Sequence, residues 1–324
     1  MKSKPFKFGW IFISILAIAI ALSFNLDRVV GKGDRPSTDK IKFKGKMVAD
    51  KDISAIGFVG KYLVVGGDEG SEIQVLEPNK KRTKYRVAIN IKLLEKKAEL
   101  EVDIEGIAVV NNTVYVTGSH STNNKNKLDK TRSSVFRFQL NPDTGKLESK
   151  IEKASLRTIL LQDEVLSQFA NLTYSENGVN IEGIAVKGDR LYFGFRTPVL
   201  ENNYVPIVVT KFEDLDRIDR YNLQYINLGG GGVRDLVAVN NGFLILTDGN
   251  DDDNDYKLYF WDSKNELSKQ NMASTVEFLD NIPVKKNTRA EGLTILQETN
   301  ISYRILVVYD GVAEGNPTIF EIEK

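Results

Sequence analysis

The chain has 324 residues, enough for one large all-β domain or two smaller ones, and it contains no cysteine. That absence excludes disulfides, thiolate metal sites, cysteine nucleophiles and a lipidated cysteine anchor. Lysine plus arginine balance aspartate plus glutamate at 44 each, so no net field selects nucleic acid or an anionic surface, and the basic run from Lys80 to Arg86 reads as the solvated face of a strand.

Chain order begins with a targeting pattern. Lys2, Lys4 and Lys7 precede the apolar stretch GWIFISILAIAIALSF, Gly9 to Phe24. A positive segment before a short apolar run is the pattern of an export signal. Ala21-Leu22-Ser23 offers small residues for cleavage, while Phe24 and Leu26 leave the following region poorly polar. Residues 1–30 are therefore expected to be a signal peptide or a membrane anchor, and 31–40 a polar linker. The domain is expected over 41–324. Localisation follows: exported, either periplasmic or extracellular or anchored to the inner membrane facing outward, with membrane contact only through this segment.

The domain is written in repeats. NIEGIAVKGDRLYFGFR from Asn180 nearly restates DIEGIAVVNNTVYVTGS from Asp103. Fainter copies start at Asp52 (DISAIGFVGKYLVVGGDEG), Gly232 (GVRDLVAVNNGFLILTDGN) and Arg289 (RAEGLTILQETNISYRILVVYDG). Each is an alternating run, a Gly, Asn or Asp turn and a second β-rich run, which predicts a hairpin. Third strands are predicted at EIQVLE, SSVFRFQL, PIVVTKF, YKLYFWD and PTIFEIE, with weaker fourth strands such as TKYRVAINI and STVEFL. Four antiparallel strands recurring at about 50 residues is the pattern of propeller blades. The fold class is all-β: a single β-propeller, with five blades expected and six, one degenerate, as the rival. KIKFKGKM, Lys40 to Met47, stands unpaired before the first copy and is expected to complete the last blade beside PTIFEIE, closing the ring. Between the second and third copies, Leu156, Ile159, Leu160, Leu166 and Phe169 fall on one helical face, predicting an inserted helix.

The wording of the repeats resembles a bacterial family known as domain of unknown function 3616. The resemblance rests on IEGIAV, RLYFGFRTPVLENNYVPIVV, LGGGGVRDL and AEGLTIL, mainly between Asp103 and Asp310. More distantly the chain is similar to phytase-like and sugar-lactonase-like propellers. The family implies a propeller-like fold and supplies no catalytic residues to carry over.

An acid recurs at the start of each first strand: Glu105, Glu182, Asp235 and Glu291, with Ser54 in the first copy. The successive gaps are 51, 77, 53 and 56 residues. The turn after each second strand holds Asp68 and Glu69, Ser119 and His120, Arg196, Asp248 and Asn250, and Asp310. In a propeller both sets open on one rim of the channel. Such an acid is read either as structural, accepting backbone N–H groups and fixing blade spacing, or as a ligand contact. Glu105, Glu182, Asp235, Glu291, Arg196, Asp248 and Asp310 are the candidate ligand-binding residues. His120, Arg196 and Asp235 are the catalytic candidates, because they break the symmetry of the repeat. His120 is the sole histidine, read as either a general base or an ordinary exposed side chain. Arg196 would clamp an anion or neutralise Glu182. Carboxylates crowding one rim repel unless compensated. The candidate metal ligands are Glu105, Glu182, Asp235 and Glu291 with Ca²⁺ or Mg²⁺; the alternative is compensation by Arg196, Arg234 and Arg289.

Other motifs are weaker. DGNDDDNDY has alternating acids at Asp251, Asp253 and Asp255, but Tyr256 stands where a calcium loop needs glycine. The glycines 229–232 precede a strand, not a helix, so they do not form a nucleotide loop. The functional expectation is an exported propeller binding a small polar or anionic ligand at the acid and arginine rim, with divalent-cation-dependent ester or phosphoester hydrolysis as its catalytic form. The alternative is a non-enzymatic module that binds an envelope protein or polysaccharide. Neither involves nucleic acid.

Overall fold

The computed structural model describes residues 41–48, 50–94, 101–122, 127, 130–248, 255–267 and 276–324. The expected signal or anchor and the linker (1–40) lie outside the described residues, as do Asn250, Asp251 and Asp253. No helix among the described residues is long and apolar enough to cross a membrane.

Among the described residues, twenty strands form five sheets, one per repeat. Blade 1 holds β1 (Lys42–Lys44), β2 (Ile53–Val59), β3 (Tyr62–Gly67), β4 (Glu72–Pro78) and β5 (Lys84–Lys92). Blade 2 holds β6 (Ile104–Val110), β7 (Thr113–Gly118), β8 (Val135–Gln139) and β9 (Glu152–Ala154). Blade 3 holds β10 (Asn180–Lys187), β11 (Arg190–Thr197), β12 (Tyr204–Thr210) and β13 (Asn222–Asn227). Blade 4 holds β14 (Val233–Val239), β15 (Gly242–Thr247), β16 (Asp255–Trp261) and β17 (Val276–Pro283). Blade 5 holds β18 (Arg289–Glu298), β19 (Ser302–Asp310) and β20 (Thr318–Glu323). The inner strands β2, β6, β10, β14 and β18 each pack on the next, and β18 returns to β2. The protein is a five-bladed β-propeller.

Position in the blade explains the composition of each strand. First and second strands have neighbouring blades on both faces, so β2, β3 and β10 are buried almost throughout and read as near-continuous apolar runs. The outer strand β5 alternates buried Tyr85 and Ile91 with exposed lysines, the period of a half-buried strand. Two-residue turns join the first hairpins of blades 1 to 4, with Gly60, Asn111 and Gly188 at positive φ as these turns require.

Ring closure differs from the expectation. Residues Lys42–Lys44 do not join β20; they pair in parallel with β5, on the outside of blade 1. Blade 5 has three strands. The reason lies in side-chain burial. Phe43 sits opposite Tyr85, and both are buried with Ile41 and Met47 in one apolar cluster. The same cluster contains Leu306 and Val308 of β19 with Ile53, Ile56, Leu63 and Val65 of blade 1, so the ring closes by apolar packing between sheets. Polar contacts back this up: Gly311 N–H donates to Lys51 O at 2.7 Å, Glu314 N–H to Asp50 Oδ1 at 2.9 Å, and Lys44 pairs with Glu314 at 3.0 Å. The outer strand β20 carries Glu321 and Glu323, charges that discourage pairing along an edge.

The insertion also differs from a single helix. Helix α1 spans only Arg157–Gln162, and a 3₁₀ turn follows at Leu166–Gln168. Asp163 breaks it: its backbone is extended, and its Oδ1 accepts the N–H groups of Val165 and Leu166 at 2.9 and 2.8 Å. Leu156, Ile159, Leu160 and Leu166 are nonetheless buried, and Phe169 packs partly against them on the core of blade 3. The apolar face was legible; the break in it was set by one side chain.

Candidate functional site

Every inner strand starts with a β-bulge, one residue unmatched by its partner strand. The unmatched residues are Ser54, Glu105, Glu182, Arg234 and Glu291. A bulge re-aims its extra side chain, and five bulges at one end of five inner strands turn one residue from each blade towards the channel mouth. This register corrects blade 4. Arg234, not Asp235, is the equivalent of the glutamates; Asp235 occupies the position of Gly106, Gly183 and Gly292. The signal was present in the apolar flanks, since Val233 and Leu236 match Ile181 and Ile184 around Arg-Asp and Glu-Gly.

The glycine position explains why Asp235 leaves the mouth. A Cβ at Gly183 would lie 2.8 Å from Val233 Cγ1, and one at Gly292 only 3.2 Å from Ser54 O, because this position faces the next blade. Asp235, in the same position, is buried and reaches across to blade 5. One oxygen accepts Leu293 N–H at 2.6 Å and the other Leu236 N–H at 2.7 Å. Burial pushes its carboxyl well above the usual range, and the two N–H groups pull it back.

Arg234 is 4% exposed and organises the mouth. Its Nη1 lies 2.8 Å from Glu182 Oε2 and 2.8 Å from both carboxylate oxygens of Glu291. Arg196 binds Glu182 Oε1 at 3.0 Å and Asp248 Oδ2 at 2.9 Å, while Asp248 Oδ1 accepts Gly232 N–H at 2.8 Å. Asn180 Nδ2 donates to Glu182 Oε1 at 2.8 Å. The Arg196 guanidinium lies 4.7 Å over the ring of Tyr174, which the insertion delivers to the mouth. Buried ion pairs of this kind hold only when each charge is compensated. Burial raises the Glu291 carboxyl and Arg234 opposes it.

The other side of the mouth is built differently. Ser54 Oγ donates to Ile104 O, tying blade 1 to blade 2. Glu105 has no hydrogen-bond or ion-pair partner among the described residues. Desolvation raises its carboxyl well above the ordinary value, reinforced by Asp103, Glu182, Glu291 and Asp68. Asp103, at φ 57°, pairs with Arg132 at 2.7 Å, and burial still moves its carboxyl to about 6. Burial also moves Asp68 to about 7, helped by Asp310, Asp103 and Asp52, and its Oδ1 is buried without a partner among the described residues.

The remaining candidates separate. Asp310, half-buried, pairs with the exposed Arg289 at 2.8 Å. His120 is 1% exposed rather than a surface residue, and neither ring nitrogen has a partner among the described residues. Burial, then the charge of Arg157, lowers its imidazole to about 3, so it is not poised as a base near neutrality. The four carboxylates expected to hold Ca²⁺ or Mg²⁺ do not fit a cation. Asp235 faces backbone N–H groups, Glu182 and Glu291 are held by Arg234, and among the described residues no three acidic or histidine side chains converge as ligands. Arginine compensation is what the geometry contains. Tyr174 was missed because it lies in the insertion, and Asn180 and Asp103 because they open the repeated phrase two residues before its acid.

With this geometry in hand, the sequence matches the family described as "Protein of unknown function (DUF3616)" over residues 52–140 and 135–317. The chain belongs to this family. No curated protein matches the sequence. Solved structures with a similar course include a GH43 β-1,3-galactosidase crystallised with galactodeoxynojirimycin, at 11% identity, TM-score 0.47, covering 89% of this chain and 94% of that one. Others are Saccharomyces cerevisiae Sqt1, at 12% identity, TM-score 0.34 and 84% of both chains, and the WD40 β-propeller domain of Doa1, at 10% identity, TM-score 0.35, covering 85% of this chain and 68% of that one. At these values the likenesses carry no statement about activity, and the blade count of this family member rests on its own strand pairing.

Proposed function

We propose that this propeller is an exported protein that binds a small, hydrogen-bond-donating ligand at the mouth of its channel. The observation that carries the reading is Glu105, a carboxylate at a channel-facing bulge that burial makes costly to ionise and that no described residue compensates. Glu105 is half-buried, so a ligand donor can reach its carboxylate and stabilise the charge that desolvation disfavours. The contrast with Glu182 and Glu291 supports the reading, since those carboxylates already have Arg234. An anionic ligand is less well supported. Arg196 and Arg234 are both engaged by carboxylates, and an anion would also meet Glu105 and Asp68. Cation-assisted hydrolysis lacks a fitting ligand set, so the reading is binding without an assigned reaction. Export rests on Lys2, Lys4, Lys7 and the apolar run to Phe24.

The test is a thermal-shift series on the full chain with neutral oligosaccharides, spermidine, inorganic phosphate, and Ca²⁺ with and without chelator. A ligand at about 100 times its Kd stabilises by roughly 2.7 kcal/mol. A donor-bearing probe is expected to raise the melting temperature of the wild type, less so of Glu105→Gln, and not of Glu105→Ala. Shifts with phosphate alone, or shifts indifferent to Glu105→Ala, would sink the proposal.

A further inference from the structure

Tyr174 is an exposed aromatic held in an unusually fixed place. Its turn is closed by a reciprocal pair in which Thr173 N–H donates to Glu176 Oε2 at 3.0 Å and Glu176 N–H to Thr173 O at 3.0 Å. Asn177, at φ 63°, fastens that turn to blade 3: its Nδ2 donates to Val199 O and its Oδ1 accepts Val199 N–H, both at 2.9 Å. The ring is backed on one face by Arg196 and is 48% exposed. No core needs it there. A rigid aromatic of this kind offers contact area at little entropic cost.

Beside it lie buried polar atoms without partners among the described residues, and they are of both kinds. Asn180 is 7% exposed and its Oδ1 accepts no hydrogen bond; Arg234 is 4% exposed and its Nε makes none either, Asp248 Oδ2 lying 3.6 Å from it. Both side chains bond Glu182, so they belong to the same corner of the mouth. An amine only donates and a carboxylate or phosphate only accepts, whereas a hydroxyl does both.

Resting on the reading of the mouth as a ligand site, we infer that its ligand is a saccharide whose C–H face stacks on Tyr174 and whose hydroxyls meet Glu105, Asn180 and Arg234. An amine fits less well. The Tyr174 ring already faces one guanidinium, so its quadrupole is partly spent, and Arg234 adds a second positive charge to the same corner. A pyranose supplies an uncharged apolar face for the ring and hydroxyls at its rim. The partnerless atoms then gain matches without any break in the Arg234 pairs.

Isothermal titration of the full chain with cello-, malto-, xylo- and chito-tetraose, and with spermidine, tests this. At least one tetrasaccharide is expected to bind. Tyr174→Ala is expected to weaken it about 10-fold, the scale of one aromatic stacking contact. Tyr174→Phe, which keeps the face and loses the hydroxyl, is expected to stay within about 2-fold. Spermidine binding with no saccharide binding overturns the saccharide and leaves the mouth as a ligand site. Saccharide binding lost in Glu105→Ala but untouched by Tyr174→Ala overturns the platform. No binding by any probe overturns both proposals.

Discussion

The two sides of the channel mouth come from the same repeated phrase and have opposite electrostatic character. On the side of blades 3 to 5, Glu182, Glu291 and Asp248 are matched by Arg196 and Arg234 at 2.8–3.0 Å. On the side of blades 1 and 2, Glu105 and Asp68 have no matching cation among the described residues, and Asp103 shares Arg132 with Glu101. A repeat thus supplies a position, and single substitutions at that position decide its role. Arginine in the fourth copy converts the neighbouring glutamates into a structural lock, while the second copy keeps its glutamate unmatched.

The largest effect should come from breaking the lock. Arg234→Met leaves Glu291 buried without a cation and Glu182 with Arg196 alone, and removal of one partner from a buried pair costs about 3–5 kcal/mol. Urea unfolding should show that loss, and adding Glu182→Gln and Glu291→Gln to the variant should restore much of it. A loss below about 1 kcal/mol would mean that the two sides do not differ.

Asp235→Ala should rank next. It strands the Leu293 and Leu236 N–H groups between blades 4 and 5, at about 1–3 kcal/mol. Probe binding at the mouth should not change. If binding is lost while stability is kept, Asp235 belongs to the mouth after all.

The uncompensated side is sharpened by pH. The Asp68 carboxyl is raised from 3.8 to about 7, so the native state holds its proton more tightly than the unfolded chain does. That contribution is complete below about pH 4 and is lost as the pH rises through 7. Asp68→Asn should therefore leave stability at pH 4 unchanged and make the protein about 1–2 kcal/mol more stable than wild type at pH 8, allowing for solvent screening of a partly exposed group. Chemical melts at the two pH values check the sign; a variant less stable at pH 8 would refute it. The smallest effect belongs to the pair of exposed Arg289 with Asp310. Arg289→Ala should cost at most about 0.5 kcal/mol in the same melts.

Most of the scaffold was legible. The alternation in DIEGIAV and its four relatives, with turn residues at fixed offsets, carries the five hairpins, because strand period and turn chemistry are local properties. The glycine of Glu-Gly-Ile answers to crowding, since Val233 and Ser54 closely approach that position. The site was legible as a place and not as an arrangement. Aligning acids by type put Asp235 with the glutamates; aligning by apolar flanks puts Arg234 there.

The sequence by itself determined the period, the hairpins, the buried apolar runs and the end of the blades where charge collects, since each follows from neighbours within a few residues. The tertiary structure decided what those charges do. Arg234 meets Glu182 and Glu291 across 52 and 57 residues of chain, Lys42–Lys44 prefers β5 to β20 because Phe43 finds Tyr85, and Asp163 ends a helix that periodicity continues. Two of these are long-range pairings. A carboxylate carries the same letter whether or not a guanidinium lies 2.8 Å away, and only the closed ring fixes which of the two holds.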